Sequence, residues 1–252
     1  MRKQISIVVL GIAFSALFNF ALAENAPSKN LLAFDEEVAQ CRRVVREYCA
    51  IVQEMMSEEQ LDESKQTKGI ELLQQTRMNW DGLIKKWGDN PPPEYSSDHS
   101  FKTRLVDFSE ALEDMERTLS EGSAHRSFKS CSYGCGLFVT MHEQNGISCA
   151  LDALYHFRKA AKTAGALLKS NDVDKVNPML ENIMHLRDAV LVAPAPWQEG
   201  DQRLAPYYEA VKKSSSLLDD FALAIADKDL DSAKKALKEL LVFINEAYGL
   251  AL

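Results

Sequence analysis

"ALEDMERTLSEGSAHRSF", residues 111–128, finds a counterpart 106 residues later in "LLDDFALAIADKDLDSAK", residues 217–234. Leu112 falls on Leu218, Asp114 on Asp220 and Met115 on Phe221. Each copy is an amphipathic run, a short polar break and the start of a second run. Apolar residues recur at helical spacing outward from both copies, and alternating strand patterns are absent. The periodicity predicts eight helices, at 34–57, 61–88, 98–119, 123–144, 147–169, 173–192, 202–226 and 229–249. "GDNPPPE" (88–94) and "APAPWQEG" (193–200) stop the second helix of each half, because proline lacks the backbone donor and restricts its predecessor. "SND" (170–172) offers a cap for the sixth helix. The repeat implies an internal duplication. Short links within each half imply antiparallel neighbours. The expected fold is therefore all-α, two tandem antiparallel four-helix bundles, 24–145 and 146–252, joined near Asn145-Gly146.

Residues 1–23 read as a cleaved signal peptide. Arg2 and Lys3 precede an apolar run from Ile5 to Phe20, and "ALA" at 21–23 suits cleavage after Ala23. The implied location is the periplasm, with no stable membrane insertion once the leader is gone. The leader holds two of the 29 basic and none of the 37 acidic residues, so the remainder carries a formal charge of −10. That balance argues against nucleic acid as a partner. An oxidising compartment permits disulfides, and five cysteines leave at least one unpaired.

The chemistry concentrates in "SCSYGCGLFVTMH", residues 130–142. Positions 124, 128, 131, 135, 138 and 142 step as an inward seam, and the second copy reads Leu230, Lys234, Leu237, Leu241, Ile244 and Tyr248. Cysteine replaces leucine at 131 and 135. Gly134 and Gly136 each cost a helix interior about 1 kcal/mol. They imply either room for a flat ligand or close approach of another element. Cys131 and Cys135 admit three readings: a disulfide to Cys41 or Cys49, a metal site, or buried thiols. In an antiparallel pair, contacting residues share a roughly constant index sum. Cys41 with Cys135 gives 176 and Cys49 with Cys131 gives 180. That mismatch is about one helical turn, so one bridge is easy and two are strained. His142 is either a ligand or a helix-end residue satisfying carbonyls. Should the fourth and fifth helices fold back, Cys149 meets His142 and His156 meets Cys135, both at a sum of 291. Cys131, Cys135, Cys149 and His156 are thus candidate ligands of a mixed Cys/His metal site.

"VNPMLENIMHLRDAVLVAPAP" (176–196), "LLDDFALAIADKDLDSAKKALKELLVFINEAY" (217–248) and "LEDMERTLSEG" (112–122) resemble the cytochrome b562 and cytochrome c′ family of four-helix-bundle haem proteins. The resemblance implies a b-type haem held by a histidine late in helix four and a methionine in helix one. Those positions fall on His142 and, matching "CRRVVREYC" to "CALDALYHF", on Cys49; in the second half they fall on Tyr248 and Phe157. The second half thus lacks both ligands, and "CSYGC" followed by Gly136 is not the C-x-x-C-H of covalent haem. The implied function is a periplasmic, non-catalytic protein holding haem b or a transition metal in its first bundle, for binding or for electron transfer to a redox partner. Two alternatives stand beside it: a cofactor-free, disulfide-stapled helical adaptor, and a Cys/His metal-handling protein. No nucleophile elbow, phosphate loop or HExxH is present, so no enzyme is expected.

Overall fold

A computed structural model describes residues 27–57, 62–171, 173–195, 197 and 199–252, with Ser132 and Cys135 described by backbone alone. The leader and its cleavage site lie outside the described residues. The described residues form eight α-helices and no strands. We label them α1 (Lys29–Met55), α2 (Glu63–Trp87), α3 (Phe101–Ser120), α4 (Ala124–Gln144), α5 (Ala150–Leu168), α6 (Leu180–Val192), α7 (Leu204–Ala226) and α8 (Leu230–Ala251). None is long and apolar enough to cross a membrane.

Local chemistry sets the ends. The Ser28 hydroxyl accepts from the Leu31 amide at 3.1 Å, which starts α1 earlier than the periodicity indicates. Asp62 and Asp229 cap α2 and α8 in the same way. The sixth helix begins later than expected. Two 3-10 turns, Val173–Lys175 and Asn177–Met179, occupy 173–179, and Pro178 keeps the chain from entering an α-helix there. Asn171 adopts a positive φ of 57° just after α5; α6 starts only at Leu180, and Asp172 of "SND" lies outside the described residues.

The two polar breaks of the opening repeat adopt one geometry. After α3, Gly122 (φ 78°) donates to the Leu119 carbonyl and Ser123 to that of Thr118, both at 2.9 Å. After α7, Lys228 (φ 58°) donates to Ile225 at 3.1 Å and Asp229 to Ala224 at 2.9 Å. Both are Schellman turns, and all four pairs are related by 106 positions. Lysine holds the left-handed position that glycine holds in the first turn, because the chain must reverse at the same place.

Helix order around each ring is also shared. α1 packs on α2 and α4, and α3 on α2 and α4; α5 packs on α6 and α8, and α7 on α8 and α6. One apolar core runs from Leu31 to Met141 and a second from Ala150 to Leu252. The buried line on α4 is Ser127, Cys131, Gly134, Phe138, Met141 and His142, matched on α8 by Ala233, Leu237, Leu240, Ile244, Ala247 and Tyr248. Ala124 is buried too, so the expected seam faces inward at 124, 131, 138 and 142; Phe128 is half-buried, the side chain of Cys135 lies outside the described residues, and Lys234 of the second copy is exposed.

Gly134 makes room for an aromatic ring. A Cβ there would lie 2.5 Å from Phe108 Cε2. Phe108 in turn packs on Trp80 and Phe138 with centroids 4.5 and 5.2 Å apart. Across the offset, Phe108 and Gly134 become Ser214 and Leu240, both buried. The two cores thus exchange bulk between facing helices, large against small in one and small against large in the other. Gly136 serves the junction of the halves, where an added Cβ would sit 3.2 Å from the Tyr155 hydroxyl.

Cys49 and Cys131 are joined as a disulfide between α1 and α4, with Cα atoms 6.0 Å apart. Cys41 carries a free, buried thiol, and the side chain of Cys135 lies outside the described residues. Of the two bridges weighed from index sums, the structure contains Cys49–Cys131, and Cys41 is not bonded.

Replacing both Cys49 and Cys131 by alanine opens a link spanning 82 positions and lowers the urea-unfolding free energy by about 2–5 kcal/mol. Gly134→Ala costs about 1–3 kcal/mol by overpacking against Phe108. Combined with Phe108→Leu it costs less than the sum of the two single changes, and a double-mutant cycle in urea measures the difference.

Candidate metal centre at the junction of the halves

The last turn of α4, the first turn of α5 and the start of α1 meet at His142. α4 ends where the chain reverses through Asn145 and Gly146, the latter at a φ of 68°. α5 then begins directly after Cys149, its extended N-cap residue, and Asp152 lies in its first turn. This fold-back carries Cys149 to His142, as the index sum predicts: Sγ lies 3.7 Å from His142 Nδ1. Asp152 Oδ2 is closer, 2.5 Å from that nitrogen and 3.1 Å from Cys149 Sγ. Behind the ring, Asp35 Oδ1 of α1 lies 3.3 Å from Nε2. Tyr95, from the 3-10 turn that follows the triple proline, stacks on the imidazole with centroids 6.3 Å apart. Its neighbour Glu94 holds Ser28 at the head of α1, so the proline-rich loop fixes both the ring and the helix that presents Asp35.

His142 and Asp152 are each only 6% exposed. Burial opposes a charge on the imidazole. The hydrogen bonds to Asp152, Asp35 and Cys149 outweigh it and hold His142 protonated far above the ordinary histidine range. Burial likewise raises the Cys149 thiol, against the lowering effect of His142. Asp152 Oδ1 is buried without a hydrogen-bond partner. Such an atom is costly unless something further binds there.

His142, Cys149 and Asp152 each offer one donor atom, and all three atoms fall within 4.8 Å of one another. Nitrogen, sulfur and carboxylate oxygen together suit Zn²⁺ or Cu²⁺. Asp35 supplies the outer contact that a metal-bound histidine generally has, fixing the ring with Nδ1 toward the other two donors. Binding an ion exchanges two protons, one from His142 and one from Cys149, for a divalent charge. The net charge of the cluster is unchanged by that exchange.

Several expected ligands are not here. Cys49 cannot pair with His142 as an axial ligand, because its sulfur is bonded to Cys131. The α1 residue facing His142 is Asp35; Cys49 lies fourteen positions further along the same helix, about 21 Å away. Cys131 is excluded from metal binding by the same bond. His156 meets Glu143, at 2.8 Å, on the exposed side of the junction. Phe157 is a core residue, and the Tyr248 hydroxyl accepts from Arg42 at 2.8 Å. Asp35, Asp152 and Tyr95 escaped the sequence reading. Asp35 and His142 share an index sum of 177, beside that of the cysteine pairs, so the same arithmetic points to this carboxylate. Asp152 is a lone acid in the apolar run "CALDALYHF".

No family model, curated protein or solved structure matches the chain.

In the metal-free protein the His142 charge stabilises the fold fully below the unfolded histidine value of about 6.5. That contribution is lost as pH rises through the higher folded value. His142→Asn therefore costs about 3–5 kcal/mol at pH 6, by uncovering buried carboxylates, and less at pH 9, as urea unfolding at the two pH values will show.

Proposed function

We propose that this chain is an exported, non-catalytic metal-binding protein. In this reading His142, Cys149 and Asp152 hold one transition-metal ion, Zn²⁺ or Cu²⁺, at the junction of two bundles that arose by duplication. The observation that carries it is the buried convergence of three unlike donors within 4.8 Å, backed by Asp35 on the far side of the imidazole. The unpartnered Asp152 Oδ1 supports it further. The matched Schellman turns and the exchanged bulk at 108/134 and 214/240 support the duplication. The intact Cys49–Cys131 bond suits an oxidising compartment such as the periplasm. The haem b reading is weaker on this geometry: both ring nitrogens of His142 face carboxylates, and among the described residues no methionine lines the cavity beside it. A metal-handling role, passing an ion to or from another exported protein, fits an acidic chain with such a site.

The second reading is the cofactor-free adaptor. The observation favouring it is the same cluster seen as an ion triad, with imidazolium between Asp35 and Asp152 tying the halves together.

Cobalt titration separates the two. The metal reading expects one Co²⁺ per chain, with a thiolate-to-cobalt absorption band that Cys149→Ser abolishes. Asp35→Asn keeps the band and weakens affinity about 10–100-fold. A wild-type protein that takes up no Co²⁺ or Zn²⁺ leaves the adaptor reading standing.

A further inference from the structure

Beside the cluster lies a cavity of about 680 Å³ that belongs to neither apolar core alone. Phe34 and Val38 of α1 and Phe138 of α4 form one wall, and Leu151 and Trp197 of the second half form the other. Trp197 is held in place by Tyr207, edge-on at 5.6 Å, and by Arg203, 4.8 Å from its ring centre. The volume is in the range of small-molecule sites, and the lining is apolar for the larger part, with polar groups that include the charged Asp35, Glu36, Arg42 and Glu94. His142 and Cys149 are also among those polar groups. Asp152, the third donor, is not part of the lining. The cavity therefore borders the cluster at His142 and Cys149, with Asp35 also in its wall.

We infer that the cavity is a binding site for a small, largely apolar ligand with a single lone-pair donor, the donor completing the metal's coordination and the apolar body lying between Phe34, Val38, Phe138 and Trp197. The inference rests on the metal reading and adds to it a ligand class. Three donors leave a fourth position of a tetrahedral ion for an outside ligand. Water would fill that position as well. The aromatic and aliphatic walls favour a ligand that brings its own apolar surface.

The test uses the Co²⁺-loaded full chain, titrated with imidazole and with 4-phenylimidazole and read from the cobalt spectrum. The two probes share a donor and differ by one phenyl ring. Burying that ring is expected to tighten binding about ten- to a hundred-fold. Ala195→Trp narrows the cavity from the loop that carries Trp197, and Leu32→Glu puts a charge on its 43%-exposed apolar rim. Each should erase the preference for 4-phenylimidazole while leaving imidazole binding and the unliganded cobalt spectrum as in wild type. Two variants are used so that misfolding of one leaves the other informative. Equal affinity for the two probes, or a preference that survives both substitutions, overturns the cavity inference and leaves the metal site intact. Absence of a thiolate–cobalt band overturns both.

Discussion

The contact on which the junction depends is the one between His142 and two carboxylates from different places in the chain. Asp35 comes from the first turns of α1 and Asp152 from the first turn of α5. A charged imidazole between them holds the first helix of the first half, its last helix and the first helix of the second half to a single point. Removing His142 leaves the buried Asp152 and the part-buried Asp35 without their counter-charge, a larger penalty than losing a surface ion pair. The arrangement is thus rigid in the metal-free chain, and a rigid set of donors needs little reorganisation to receive an ion.

The equivalent position in the second half works in the same direction with opposite chemistry. Tyr248, 106 residues after His142, also leaves its own bundle and reaches into the other half. Its hydroxyl accepts from Arg42, and the guanidinium groups of Arg46 and Arg158 lie 5.6 and 5.1 Å from its ring centre. Arg46 and Arg158 are further tied to Asn245, through its backbone carbonyl and its side chain. A late inward residue of each fourth helix is therefore a junction residue. One is cationic among carboxylates and the other an aromatic acceptor among arginines. Each sits where its bundle meets the other half, so its chemistry follows what the other half presents.

The helical class was legible because period and breaks agree along the chain: apolar spacing gives the helices, and prolines and polar turns give their ends. Index sums raised the fold-back that sets Cys149 beside His142 as one of two arrangements, and Cys49–Cys131 as one of two bridges. What was not legible had a common cause, which is that sequence spacing fixes level along a helix better than direction around it. His156 sits at nearly the right level yet turns outward to Glu143. The inward face of α4 keeps Ala124, Cys131, Phe138 and His142 of the expected seam and widens to Ser127, Gly134 and Met141, while Phe128 is only half-buried. Asp35 was hidden by the assignment of Cys49 to the position opposite His142, which placed the site at the wrong end of α1. Start and stop errors followed local capping: Ser28 extends α1, and Pro178 shortens α6.

The cysteines show how burial and neighbours sort residues of one type. Cys49 and Cys131 face each other at bonding distance, so they are spent on a covalent link between α1 and α4. Cys41 is buried in the first core, where desolvation and the nearby Glu37 carboxylate push its thiol up to about 11. A thiol in that setting is a small apolar side chain with little reactivity. Cys149 differs from both. It stands at the head of α5, borders the cavity, and donates to a carboxylate that also meets an imidazole. Next to Asp152 a bare thiolate is disfavoured, which argues against a nucleophile of the cysteine–histidine kind. A divalent cation reverses that balance. It is attracted by the carboxylate that repels the thiolate, and it stabilises both anions together. The three side chains are thus a coherent set of candidate metal ligands.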